Sequence, residues 1–545
     1  MTNKLPDMNP TLLDRVISWF DPVRGKERLQ ARYQMSVAQR WIGARLDRGA
    51  TKNWWTATGS ADRDSIFDLQ TLRNRSRDLL RNNPLALGAV NTTVTSTVGT
   101  GLMMRCRLDA ALLGLTQEAA QAQQKLIERE FRLWAEDPVA CDLRGKLDFY
   151  QIQGLAFRST LEGGDAFAML PLRNRRQSVY ATKIQMIEAD RLVNKDYQIN
   201  TKTLISGIEF DDDGFVKNYH VMRTHPGGLY NDGRWEWDVI PAFGSKTGRR
   251  NMVHLYDPRR IDQTRGVPYL APVIEALHQL GDYTQAEITA AVVSGMFTAF
   301  VTTESGTGID SGLPGGPATD AASQTSGSDI NLGPGAIVDL APNENITFAN
   351  PGRPNVAFDP FVQAVLRQVG VALELPFEVL IKHFTASYSA ARAALLEAWK
   401  FFKNRRAWLS TMFCQPIYEA WFEEAVSIGR IEAPGFFQDP AIRRAWLNCV
   451  WIGDAPGQLD PLKEVEAAGK RLDLLLTTRG EEKAALDGGE WSDTIAERGY
   501  EQVLIEKSGV PVIVTKGQME EPEPGETSGT DKQPTNPEQG DGEKE

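Results

Sequence analysis

Apolar residues recur at intervals of three and four in several long stretches, and that spacing predicts helices. Residues 1 to about 160 read as mainly helical, with polar linkers near 51–65 and 102–115. From 157 to 256 the pattern changes to short runs such as DAFAMLPL, KIQMIEAD, GIEFDDDGFVKNYHVM and MVHLYD, separated by Gly, Asn, Asp and Pro. These are strand and turn signals. The stretch 268–300 then returns to helical spacing, with a proline near its start, and predicts one long helix. A Gly/Ser-rich stretch, 305–328, is expected to be flexible or exposed, and AIVDLAPNENITFANP reads as two short strands. A second helix is expected over 359–376, closed by Leu375-Pro376. After the loop FEVLIKHFTASYS the longest helix runs from about Ser389 towards Ile428, with Leu395, Trp399, Phe402, Leu409, Phe413, Ile417 and Trp421 on one stripe. Pro416 should kink it. The order is therefore helix, flexible β insertion, helix, loop, long helix.

A chain of 545 residues exceeds what one hydrophobic core serves, so more than one structural region is expected. Hydrophobic residues make up 41% and charged residues 24%, which suits a packed interior over most of the length. The end differs: from about Lys516 the chain is Glu-, Pro- and Gly-rich with almost no apolar residues, and reads as an acidic disordered tail. Cys106, Cys141, Cys414 and Cys449 are far apart in sequence and form no CxxC pair, so neither a zinc site nor a disulfide framework is suggested. A reducing cytoplasm fits best, and no apolar h-region or membrane-spanning window of ~20 residues is found.

The formal net charge of −11 disfavours tight gripping of nucleic acid, which needs a basic face. It does not disfavour a wall past which a polyanion slides. Arg73, Arg77 and Arg81 recur at helical spacing and read as a solvated face, with phosphate contact as the second reading. Asp211 to Gly214 lies between two β-like runs and reads as a hairpin turn, since it lacks the further oxygen ligands of a calcium loop. Phosphate-loop, H-E-x-x-H, G-x-S-x-G and kinase signatures are absent, and the five histidines are scattered. No catalytic, cofactor-binding or metal-binding constellation is expected, and the chain reads as a non-enzyme.

Four strings, RNNPLALGAVNTTVTSTVGTG, HLYDPRRIDQTRGVPYLAPVIEAL, ELPFEVLIKHFTASYSAARAALLEAW and PGQLDPLKEVEAAGKR, resemble the portal proteins of lambda-type tailed bacteriophages. The resemblance covers roughly residues 30–505 and is specific through the order of its strings rather than any one of them. It implies an α+β portal fold with a mixed α/β wing, a helical stem, a small α/β clip and a helical crown. On that plan residues 1–30 are a leader, 31–267 the wing, 268–297 the first stem helix, 298–354 the clip and 355–376 the second stem helix. Residues 377–388 become a channel loop, 389–438 the long wing helix, 439–507 the crown and 508–545 the acidic tail.

The implied protein is a dodecameric ring at one capsid vertex, assembled in the host cytoplasm and carried in the virion. Its implied partners are the terminase large subunit, the major capsid protein, head-completion (connector) proteins and the double-stranded DNA packaged and ejected through it, with no membrane. Within the channel loop, Lys382, His383 and Phe384 are expected to face DNA, although capping or solvating the loop is an equal reading for the two charged residues. A closed ring also needs apolar surface that only a neighbour covers. Trp399, Phe402, Trp408 and Trp421 are candidates, with burial in the subunit's own core as the other reading. The alternative function is another phage head protein, either a shell subunit or a maturation enzyme.

Overall fold

The computed structural model describes residues 58–229, 235–295, 299–303, 344–348, 357–383, 387–455, 461–487 and 491–508, with part of 16–26 and a few single positions. Phe384, the stretch 305–328 and the tail after 508 lie outside the described residues. The fold is α+β. Contacts divide the chain into two units, Met1–Asp454 and Ala455–Glu545.

The first unit opens with two helices whose ends are written in the sequence. Helix α1 (Ala61–Asn82) is capped by Ser60, which accepts from Arg63 N, and has Asp62 and Asp64 in its first turn, where they complement the helix dipole. Helix α2 (Pro84–Thr97) starts on Pro84, and the Asn83 side chain accepts from the amides of Leu85 and Ala86. Strand β1 (Met103–Cys106) follows, inside a stretch expected to be a linker. Helix α3 (Gln117–Ala135) buries Ile127, Phe131 and Trp134 at intervals of four and three. Helix α4 (Phe149–Gly163) is fixed by a reciprocal capping box between Asp148 and Gln151.

The β-rich region forms two antiparallel sheets. Strands β2 (Asp165–Met169), β3 (Gln185–Glu188) and β8 (Met252–Tyr256) lie in the order β3-β2-β8. Strands β4 (Leu204–Ile205), β5 (Ile208–Phe210), β6 (Val216–Met222) and β7 (Trp237–Pro241) lie in sequence order. Asp211 to Gly214 turns the β5–β6 hairpin: the Asp211 carboxylate accepts from Asp213 N and Phe215 N, and Gly214 takes a φ of 84°. Its carboxylate thus serves the local backbone.

A 3-10 turn at Ala271–Val273 leads into helix α5 (Ile274–Gly295). This helix is shorter than the expected 268–300, because strand β9 (Ala299–Thr303) follows and pairs antiparallel with β10 (Glu344–Phe348). The run AFVTT is rich in β-branched and aromatic residues and prefers a strand. Helix α6 (Phe358–Ala372) returns, and the expected loop after it contains one short helix, α7 (Phe377–Ile381), which buries Val379 and Leu380. The expected single helix 389–428 is interrupted. Helix α8 (Tyr388–Leu409) passes through a π segment at Ser410–Cys414 into α9 (Gln415–Ser427). The widened turn lies just before Pro416, whose missing N–H and ring disturb the α pattern there. Helix α10 (Pro440–Trp446) and strand β11 (Cys449–Ile452) close the unit, with β11 pairing to β1.

The core of the first unit is aromatic where α3, α4 and α9 meet. Phe131 packs edge-on against Trp421 at 5.0 Å, Phe149 at 5.7 Å and Tyr418 at 5.5 Å, an arrangement that aromatic quadrupoles favour. Trp134 donates to Thr182 O, and Glu130 accepts from Tyr180 Oη and pairs with Arg430 at 2.8 Å. The second unit has the opposite character. Helices α11 (Pro461–Asp473), α12 (Arg479–Asp487) and α13 (Trp491–Ser508) follow one another, and α11 buries no residue, leaving Leu462 72% exposed.

Candidate functional site

The loop before α5 carries R-x-x-Q-x-R-G-V-P, and nearly every polar group in it is used internally. The Arg260 guanidinium pairs with Asp64 at 2.5 Å and donates to Gly59 O. Gln263 accepts from Arg259 N through its side-chain oxygen and donates to Arg265 O. Thr264 donates twice to Asp62, from its amide and from its hydroxyl. Arg265 is the centre: its side chain is 1% exposed, it donates to Asp165 at 2.5 Å, and it reaches the carbonyls of Ala189, Leu192 and Ser206. Arg73 from α1 adds a second guanidinium to Asp165 at 2.8 Å. The next residue is necessarily glycine, since a Cβ on Gly266 would lie 2.0 Å from Gly164 O.

Burial alone would raise the Asp165 carboxyl, but Arg265 and Arg73 hold it well below the usual carboxylate range. Burial lowers Arg73 to about 10 against the pull of Asp165, and lowers His254, which stacks on Phe167 at 4.2 Å with its Nε2 3.5 Å from Asp165. The group is a locked ionic cluster joining α1, β2, β8 and the loop that launches α5. Its carboxylate and both guanidinium groups are spent on one another and on backbone carbonyls.

From this anchor α5 and α6 run as a pair. Tyr269 Oη donates to Leu373 O, tying the start of the outgoing helix to the end of the returning one, and Asn83 Nδ2 donates to Leu277 O. Further along, Tyr283 packs on Phe358 at 5.5 Å and Phe361 at 5.3 Å, and Asn355 donates to Glu287 at 2.8 Å. Between the two helices in sequence lie β9 and β10, which pair antiparallel.

Beyond α6 the chain is differently held. Glu374 and Lys382, the residues flanking Leu375–Ile381, both have positive φ, 55° and 56°, although neither is glycine. Lys382 is the C-cap of α7, and both Lys382 and His383 are exposed, with His383 N donating to Glu378 O. Nearby, Arg405 of α8 pairs with Asp257 at 2.6 Å, linking this region back to the R-x-x-Q loop.

Several expected surface residues turn inward. Trp421 is 0% exposed and Phe402 4%, so both pack in the subunit's own core and leave no face for a neighbour. Trp421 packs against Phe131 and Trp134 of α3, and α8 packs against α2, which explains that burial. Trp399 and Trp408 are half-buried against the same core, Trp399 beneath the Arg406 guanidinium at 5.2 Å. Arg73 and Arg77, read as a solvated or phosphate-facing pair, are also turned in: Arg73 serves Asp165, and Arg77 pairs with Asp190 at 2.5 Å and Glu162 at 3.3 Å. Arg81 alone of the three stays exposed.

Among the described residues, Glu188, Asp190 and His225 come close enough to suggest a cation. The Arg77 guanidinium already supplies one, 2.5 Å from Asp190 and 3.6 Å from Glu188. No described helix is long and apolar enough to cross a membrane.

With this geometry in view, comparison with known proteins is decisive. A profile described as "Phage portal protein, lambda family" matches residues 47–406. The chain belongs to the lambda family of phage portal proteins. Portal protein B of Escherichia phage lambda is 24% identical over 481 residues, 85% of this chain and 89% of its own length. The portal protein of Escherichia phage N15 matches with the same figures, and the probable portal protein of Halomonas phage phiHAP-1 is 24% identical over 461 residues, 82% of this chain and 83% of its own. Among solved structures, a chain in the neck of a native GTA particle computed with C12 symmetry aligns at a TM-score of 0.41 and 11% identity, covering 78% of this chain and all of that one. The lambda-family portal is a structural phage component, and in this chain the ionic cluster around Asp165 ties α1, β2 and the loop before α5 together. Sequence reading missed that cluster because Asp165, Arg73 and Arg265 are about a hundred residues apart and Asp165 stands in an ordinary strand.

Proposed function

We propose that copies of this chain close into a ring at one capsid vertex, around a channel through which double-stranded DNA is packaged and ejected. Membership of the portal family over residues 47–406 carries this reading. The α5–α6 pair would form the stem, the segment 298–354 the clip, residues 31–267 with 389–438 the wing, and 439–507 the crown. Terminase would dock at the clip, the shell around the wing, and head-completion proteins after packaging. Such a conduit needs no turnover of its own, and no ATPase, nuclease or protease activity is expected of the purified chain.

In this arrangement Lys382 and His383 would face the channel. One lysine per subunit attracts phosphate weakly at physiological salt, where charges are screened beyond about 8 Å. A ring repeats it around the duplex, steadying DNA without a deep well at any one site. The exposure of both residues, and the lack of a side-chain partner drawing either into the fold among the described hydrogen bonds and ion pairs, support this. Negative-stain microscopy of the purified chain tests the ring: annular particles with a central hole are expected, whereas closed shells would mean a shell subunit.

A further inference from the structure

Cys106 and Cys449 stand 343 residues apart, yet β1 and β11 pair in a register that sets them directly opposite each other. Opposed residues of an antiparallel pair project from the same face of the sheet. The hydrogen bonding identifies which kind of pair they make. Arg107 N donates to Asn448 O, so the adjacent pair is the hydrogen-bonded one, while Cys106 N donates instead to Glu128 Oε1 at 2.9 Å. Cys106 and Cys449 therefore occupy a non-hydrogen-bonded position, where Cα atoms approach to about 4.5 Å. That lies within the span of roughly 4.4–6.8 Å that a disulfide bridges. Cys106 is buried and Cys449 half-buried, its thiol donating to Gln415 Oε1 at 3.0 Å, so Cys449 is the more accessible residue of the two.

We infer that Cys106 and Cys449 form a redox site, held as two thiols in a reducing compartment and closing to a disulfide in an oxidising one. This rests on the β1–β11 geometry and is independent of the channel reading. With a low-molecular-weight disulfide as oxidant, the Cys449 thiolate attacks one of its sulfurs, forming a mixed disulfide and expelling one small thiolate. Cys106, as thiolate, then attacks the Cys449 sulfur, closing the Cys106–Cys449 bond and expelling the second. The two cysteines lose two electrons, the oxidant gains them, and the two cysteine protons end on the two released thiols. The bond would pin β11, the last strand of the first unit, onto β1. Burial, then Glu419, pushes the Cys449 thiol up to about 12, and burial also raises Cys106, so closure is slow at neutral pH and quickens as pH rises. Cys414 also lies near Cys449 and raises a competing pairing, which the test separates.

The full-length chain is incubated with oxidised glutathione, quenched with N-ethylmaleimide and analysed by non-reducing peptide mass spectrometry. A Cys106–Cys449 linked peptide is expected, reversible by dithiothreitol, absent from Cys449→Ser, retained in Cys414→Ser, and formed about tenfold faster at pH 8 than at pH 7. In the oxidised protein, amide exchange across 103–106 and 449–452 should slow by about tenfold or more. Full alkylation of both cysteines in the oxidised wild type, or a link through Cys414, overturns the site. A bond that forms without slowing exchange overturns its pinning role.

Discussion

Two loops flank the α5–α6 helix pair, and they are built on opposite principles. In the loop that launches α5, Arg260, Gln263, Thr264 and Arg265 each spend their polar groups on the fold, and Gly266 allows backbone to touch backbone at Gly164. In the segment after α6, Leu373, Leu375, Val379 and Leu380 are buried, while Lys382, the left-handed cap of α7, and His383 are exposed. The launching loop is the more highly charged of the two, but charge alone does not fix a loop. What does is whether each charge has a buried partner, and a partner distant in sequence cannot be read from spacing.

The largest effect should come from breaking the held loop. Removing one member of a buried, hydrogen-bonded ion cluster leaves the others uncompensated and costs about 3–5 kcal/mol. Arg265→Ala should therefore lower the thermal midpoint severely or leave the chain insoluble. Arg265→Lys should fail to restore it, because one ammonium cannot reach Asp165 and three carbonyls together. Stability within ~0.5 kcal/mol of wild type would mean the cluster is not the anchor.

Gly266→Ala adds only a methyl group but drives it into Gly164 O, and overpacking of this kind costs about 1–3 kcal/mol. Denaturant titration measures it; a neutral result would show that the two loops are equally loose.

Acid should also discriminate. The Asp190 carboxyl lies at about 2 against its ordinary 3.8; burial opposes this, and Arg77 and Gln70 bring it about. A lowered carboxyl stabilises the fold fully above its unfolded value and loses that contribution as pH falls through the folded one. About 2 kcal/mol should thus disappear between pH 4 and pH 2. Asp190→Asn should be less stable than wild type at pH 6 and should lose less on acidification. Parallel curves for the two proteins would contradict the assignment.

The smallest stability change is expected in the exposed segment. Lys382→Glu with His383→Ala should leave the melting temperature and the rings intact, within ~0.5 kcal/mol, while reducing packaged DNA or its retention. Normal packaging and retention would remove these residues from the DNA path.

Much of the architecture was legible beforehand because it is local. Ser60, Asn83 and the Asp148–Gln151 box mark helix starts, and the Asp211–Gly214 turn announces its hairpin. The helix, β insertion, helix order follows from periodicity alone. What periodicity could not tell was which way a residue on a stripe faces once other elements arrive. Trp421 and Phe402 fit an apolar stripe equally well as interface or core, and α3 decided for core at Trp421. Arg73 and Arg77 likewise sat at surface-like spacing until Asp165 and Asp190 were folded against them. The π segment before Pro416 and the strand at Ala299 were lost for a simpler reason: both lie within otherwise helical spacing.

The proposed assembly is a ring whose channel is lined by the segment after α6. Cryo-electron microscopy of the purified full-length protein tests it most directly. A closed ring is predicted, with Lys382 and His383 at its narrowest radius and the Asp165 cluster buried within each subunit. Rings with Lys382 on the outer wall, or particles with no central channel, would contradict it.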